Sequence, residues 1–166
     1  MAKKKKSSNL GRILYFVALA LGVVAICMLF VNAVATPDVK TALATVEGEK
    51  VTGLQVAFGY SEKEIEILGF SFMALLPWIL VIAGVVLTAL STFSKKGSKL
   101  FDFISIAAFI VAGVLFFIMP NFMVFAETLA GAVWEALEWK LAIGSIVAAV
   151  CSIVAGGAVL VKNLMK

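Results

Sequence analysis

This 166-residue sequence has no histidine, two cysteines, three prolines and only 14% charged residues. Without histidine it lacks the commonest general base and metal ligand, and no Ser-His-Asp or Cys-His arrangement is possible. It contains no H-E-x-x-H, C-x-x-C or P-loop motif. Because soluble domains average about 25% charged residues, the composition excludes a typical soluble enzyme. We expect no enzymatic activity, no cofactor, no metal and no nucleic-acid partner.

What the sequence has instead is long apolar runs, and 63% of its residues are hydrophobic. Four runs, 13–37, 67–94, 103–126 and 141–161, contain no charge. Each exceeds the roughly 20 residues that a membrane-spanning helix needs. The sequence therefore predicts an all-α integral membrane protein, a four-helix bundle with spans at 13–35, 67–93, 103–126 and 141–161.

The charges are divided unequally between the ends of these spans. With four spans, residues 1–12, 94–102 and 162–166 share one side, which has ten bases and one acid, Asp102. The opposite side has four bases and nine acids. The positive-inside rule predicts a multi-pass plasma-membrane protein with both termini in the cytoplasm, and the inner anchors are Lys3, Lys4, Lys5, Lys6, Lys95, Lys96 and Lys99.

The first run also has features of a signal peptide, because four lysines precede it and Ala33-Val34-Ala35 resembles a cleavage site. The apolar stretch of about 19 residues before Asn32 is longer than the usual 7–15, so we favour a retained span. Cleavage would leave three spans in the same orientation.

The first outer loop, 36–66, is rich in β-branched residues at Val39–Val46 and Val51–Phe58, on either side of a glycine-containing turn. This pattern predicts a β-hairpin with Leu54, Val56 and Phe58 on one face. Ser61 and Glu64 have the spacing of a capping box, which predicts a short helix leading into the second span.

The second outer loop, 127–140, is predicted to be an amphipathic helix, with Trp134 and Trp139 suited to the membrane–water boundary. It covers the bundle end or binds a partner. The predicted outer interaction surface consists of Leu54, Val56, Phe58, Trp134 and Trp139.

Within the spans, small residues recur every four positions in the fourth, at Gly144, Ala148, Ser152 and Gly156. Such a stripe allows close helix packing, either within the chain or between copies. Polar and kink-forming residues lie towards the outer side, at Asn32, Pro77, Pro120 and Asn121. They indicate ordinary kinks or, alternatively, a small outward pocket.

The layout of four spans, inner termini, a β-prone first loop and a shorter second loop resembles that of claudin-like tetraspan proteins. Their first loop has a W-x(n)-G-L-W-x(n)-C-x(n)-C signature, of which this loop has only Gly53-Leu54. The resemblance therefore concerns topology and transfers no functional residue.

The function expected from these features is that of a non-enzymatic scaffold, assembly or interaction subunit, whose partners are membrane lipid and another protein or a second copy. The alternative is an oligomeric small channel, holin-like pore or lipid or small-molecule carrier. A membrane enzyme using outer carboxylates is the least favoured hypothesis.

Overall fold

The fold is a bundle of four long helices with a small mixed cap at one end. A computed structural model describes residues 2–40, 45–93 and 98–165. The helices are α1 (Ala2–Cys27), α2 (Gly53–Phe58), α3 (Phe72–Phe93), α4 (Ser98–Phe117), α5 (Leu129–Glu135) and α6 (Ile143–Leu164). The strands are β1 (Asn32–Ala35), β2 (Val39–Lys40), β3 (Thr45–Val46), β4 (Lys50–Thr52), β5 (Tyr60–Glu62), β6 (Ile65–Leu68) and β7 (Lys140–Leu141).

Four helices, α1, α3, α4 and α6, are long and apolar enough to cross a membrane, which confirms the prediction of a helical multi-pass membrane protein. With 22 residues each, α3 and α6 are about 33 Å long, close to the roughly 30 Å of a hydrocarbon core. In the bundle α4 packs on α3 and α6, and α1 packs on the other side of the same two helices.

The centre of the bundle is filled by the fully buried ring of Phe109 on α4. A glycine from each of the other three long helices lies against this residue. A Cβ at Gly22 or Gly84 would lie 3.4 or 3.0 Å from its ring, and one at Gly156 would lie 3.2 Å from its Cβ. One large side chain therefore occupies a hole that glycines leave open, and close packing of the four helices follows from this fit.

The two loops predicted to lie outside the membrane join in one antiparallel sheet with the strand order β4-β1-β7. In the central strand, β1, Ala35 is opposite Lys50 of the first loop and Lys140 of the second. A 3₁₀ turn at Met28–Phe30 separates β1 from α1. The predicted first span is therefore too long at its C-terminal end, because residues 32–35 pair with strands of both loops.

The predicted hairpin between 39–46 and 51–58 is wrong. The first run forms its own strand pair, with Val39 opposite Val46, and the second run divides into β4 and α2. A capping box at Thr52 and Gln55 starts this helix: Thr52 Oγ1 accepts from Gln55 N at 3.3 Å, and Gln55 Oε1 accepts from Thr52 N at 2.9 Å. Gly59, with φ of 95°, ends it, a conformation that favours glycine.

The predicted capping box at Ser61 is also wrong, because residues 60–68 form the β5–β6 hairpin, in which Ser61 is opposite Glu66. Its two turn residues, Lys63 and Glu64, have φ values of 49° and 68°, as tight two-residue hairpin loops require. Tertiary hydrogen bonds override the local helix signal, since Ile67 O accepts from Ala126 N at 2.9 Å. The second span accordingly begins at Phe72 rather than at residue 67.

The third span is shorter than predicted, because α4 ends at Phe117 and a 3₁₀ turn follows at Met119–Phe122. Pro120 is at the start of this turn, where its missing N–H costs nothing. The amphipathic helix of the second loop is present but is confined to α5, with Thr128 as its N-cap.

Candidate functional site

The part of the cap best suited to contact another molecule is where α5 packs on β6. The side chain of Thr128 joins the two elements by donating to Glu66 O at 2.8 Å. Three apolar side chains remain exposed there: Leu129 (86%), Val133 (57%) and Ile65 (51%). We call these three residues the α5–β6 surface.

Exposed acids lie on these two elements, at Glu66 and Glu135, and on the adjoining segments, at Glu62, Glu64 and Glu127. The bases nearest in sequence are Lys63 and Lys140, both exposed. Exposed apolar side chains on segments with more acids than bases suit a partner with apolar and basic side chains.

Of the predicted outer interaction residues, Trp134 and Trp139 contribute mainly to the internal packing of the cap. Their rings lie 5.3 Å apart, and Trp134 also lies 5.8 Å from Tyr60 of β5. Trp139 Nε1 donates to Trp134 O at 2.8 Å. The two tryptophans hold α5 against the β5–β6 hairpin, which fixes the α5–β6 surface in place.

The other three predicted residues do not share a face. Val56 is 1% exposed and belongs to the core, whereas Leu54 and Phe58 are exposed. The expectation of one common face assumed a strand; in the helix α2, Leu54 and Phe58 are four residues apart and share an exposed face, whereas Val56 is turned towards the core. The ring of Phe58 lies 6.2 Å from that of Phe70.

The small-residue stripe of α6 faces the inside of the bundle, since Gly144, Ala148, Ser152 and Gly156 are all buried. A Cβ at Gly144 would lie 2.6 Å from Asn32 O of β1, and Gly156 faces α4. Packing within the chain therefore occupies the stripe.

The four kink and polar positions all lie at the cap end. Asn32 is in β1, Pro77 is buried in the first turns of α3, and Pro120 and Asn121 are in the 3₁₀ turn. A nearby serine, Ser71, accepts from Ala74 N at 3.2 Å and donates to Phe122 O at 2.5 Å, joining the start of α3 to this turn. These contacts make the region a packed junction of span and cap.

The basic anchors are only partly within the described residues. Lys99 is exposed at the start of α4, and residues Lys3–Lys6 form part of the first turns of α1. Lys95 and Lys96 lie outside the described residues. We call the end of the bundle that contains Arg12, Thr92, Lys99 and Lys162 the basic end.

A buried ion pair that was not expected from the sequence lies at the basic end, between Asp102 of α4 and Lys162 of α6. Lys162 Nζ lies 2.5 Å from Asp102 Oδ2, and the Asp102 and Lys162 side chains are 0% and 5% exposed. Tyr15 of α1 donates to Asp102 Oδ1 at 2.7 Å, and Ser91 of α3 donates to the same oxygen at 2.5 Å. All four long helices therefore meet at one carboxylate.

The ammonium group of Lys162 also donates to the Tyr15 hydroxyl and lies 4.1 Å from the centre of that ring. A buried charge is tolerated when it is paired and hydrogen-bonded, and both conditions hold for this cluster. The signal in the sequence was Asp102 itself, the single acid among the ten bases predicted for this side.

A second polar contact lies one helical turn deeper. The Thr88 and Ser105 hydroxyls lie 2.6 Å apart and 2.8 and 2.9 Å from Gly84 O, so that one hydroxyl donates to this carbonyl oxygen and accepts from the other. These bonds join α3 to α4 beside Phe109. Both side chains are fully buried, so neither hydroxyl faces the lipid.

Within residues 2–40, 45–93 and 98–165, no three His, Cys, Asp or Glu side chains lie close enough to hold a metal ion. Comparison of the chain with protein-family models, with curated proteins and with solved structures gives no match.

Proposed function

We propose that this protein is a non-enzymatic membrane scaffold or assembly subunit that binds a partner protein through the α5–β6 surface. The observation that carries the proposal is the exposure of Leu129, Val133 and Ile65 on elements joined by the aromatic packing of Tyr60, Trp134 and Trp139. Large apolar side chains on an ordered polar surface are typical of binding sites.

The orientation of the chain belongs to this proposal. The cap lies outside the cell and the basic end lies in the cytoplasm, as the positive-inside rule indicates from the distribution of lysine and arginine. The partner is then an extracellular or membrane-bound protein with an apolar patch and basic residues around it.

The packing of the bundle favours this function over an oligomeric pore. The ring of Phe109 fills the centre of the four helices, and the stripe from Gly144 to Gly156 packs within the chain. The Phe109 ring leaves no polar path along the centre of one copy. The buried stripe of α6 is not available for close packing against a second copy.

The test is site-specific photo-crosslinking in intact membranes, with the photoreactive residue at Leu129 or at Leu54. We expect Leu129 to give an adduct of one defined mass with a different protein, and Leu54, an exposed leucine of α2, to give none. Leu129→Lys with Val133→Lys should weaken binding of that protein by about 2 kcal/mol, or about thirtyfold.

The matched control is Leu54→Lys with Phe58→Lys, which places the same two charges, also four residues apart, on other exposed apolar side chains of the cap. Equal loss of binding in both variants would contradict the assignment of the surface. A native mass of several identical copies together with ion flux in liposomes would replace this proposal with the pore.

A further inference from the structure

A groove opens on the side of the bundle at the basic end, between α1 and α3. Its volume is about 360 Å³, and it is lined by Arg12, Tyr15, Phe16, Leu19 and Thr92. The arginine is exposed, and no carboxylate of the described residues lies within 4.0 Å of its guanidinium group. We propose that this groove binds an anionic phospholipid, with the phosphate at Arg12 and an acyl chain along Phe16 and Leu19.

The order of residues along α1 matches the order of groups in a lipid. Arg12, Phe16 and Leu19 are four and three residues apart, so their side chains lie on one helix face. They extend about 10 Å from the basic end towards the middle of the span. A charged group at the end and apolar groups deeper in the bundle correspond to a headgroup and the first carbons of its chain.

The one acid at this end of the chain is not available to Arg12. Asp102 is the single acid among ten bases on this side of the sequence, and it is fully buried against Lys162. It therefore has no exposed oxygen for Arg12. A guanidinium group binds phosphate oxygens through two parallel hydrogen bonds, and the phosphate of an anionic phospholipid supplies them at membrane depth.

The exposure of α1 provides space for such a lipid. Only 17% of its apolar window is buried inside the protein, against 50% for α6. The floor of the groove is fixed, because Tyr15 is held by Asp102 and Lys162. The Thr92 hydroxyl donates to Thr88 O at 3.0 Å, and its oxygen remains an acceptor for a headgroup hydroxyl.

The test is native mass spectrometry of the full chain in mild detergent, titrated with phosphatidylglycerol or with phosphatidylcholine. We expect tighter binding of phosphatidylglycerol, and a loss of about fivefold in its affinity in Arg12→Gln. Lys140→Gln removes an exposed cation from the cap and should leave binding unchanged. Leu19→Trp fills the groove and should lower binding while Arg12 stays in place.

Two results would overturn the proposal. One is equal binding by the wild type and Arg12→Gln. The other is a loss that occurs only when Lys3–Lys6 are replaced by glutamine, which would assign the attraction to the basic tail. Because Arg12 is exposed, its substitution leaves the fold intact, and an unchanged unfolding temperature verifies this. The partner-binding experiment above is independent of both results.

Discussion

Asp102 connects the four long helices at the basic end. Its carboxylate is fully buried and accepts from side chains of α1, α3 and α6, namely Tyr15, Ser91 and Lys162. A pair of this kind contributes little net stability compared with apolar residues, but the loss of one partner leaves a buried charge without compensation. The cluster therefore specifies how the helices align at the basic end.

We predict that Asp102→Asn lowers the free energy of unfolding by about 3–5 kcal/mol, because Lys162 keeps its charge in a buried position. Asp102→Leu with Lys162→Met removes both charges and should cost much less. Thermal unfolding in detergent micelles, followed by circular dichroism, measures both.

The control for this prediction is Lys140→Met, which breaks the exposed pair with Glu138, whose N–O distance is 3.9 Å. It should cost at most about 1 kcal/mol. If the double variant unfolded as readily as Asp102→Asn, the buried charge would not explain the loss.

At the scale of elements, the small residues of the long helices determine how closely the helices approach. Gly156 faces Phe109 on α4, whereas a Cβ added at the next residue, Gly157, would have no neighbouring atom within 4 Å. Neighbouring glycines on one helix therefore differ in environment, and the difference follows from the helical period of about 100° per residue.

We predict that Gly156→Leu destabilises the bundle by about 1–3 kcal/mol through overpacking, while Gly157→Leu has little effect. Unfolding temperatures of the two variants in the same detergent provide the comparison. Equal destabilisation would show that α6 has a different rotation in the bundle.

The sequence predicted the long helices better than the cap. All four spans were identified, because a helix in lipid must be apolar over its whole length and on every face. The cap was predicted less well: 51–58 is a strand followed by a helix, and 61–64 is the end of β5 and a two-residue turn. Short segments have weak local preferences, and their partners, such as Ala126 for Ile67, are distant in sequence.

The whole molecule is polarised between its two ends. The cap has β-strands, exposed acids and apolar side chains, and the basic end has Arg12, Lys99 and a single acid that is buried. The proposed sites follow this division, with a protein partner at the cap and an anionic lipid at the basic end.

We predict that a cysteine at position 138 reacts with a membrane-impermeant maleimide in intact cells and that a cysteine at position 99 reacts only after permeabilisation. Glu138 and Lys99 are exposed at opposite ends, and the positive-inside rule assigns the basic end to the cytoplasm. The free cysteines Cys27 and Cys151 are first replaced by alanine. The reverse pattern of labelling would invert the proposed orientation and the location of both partners.

The sequence by itself determined the membrane class, the number of spans and the unequal charge of the two ends, because hydropathy and charge act residue by residue along the chain. Only the tertiary structure decided that Phe109 fits against three glycines, that β1 joins both loops, and that Tyr15, Ser91, Asp102 and Lys162 form one cluster. These features depend on which faces of distant helices meet. The relevant residues are up to 147 positions apart, and no local pattern encodes their contact.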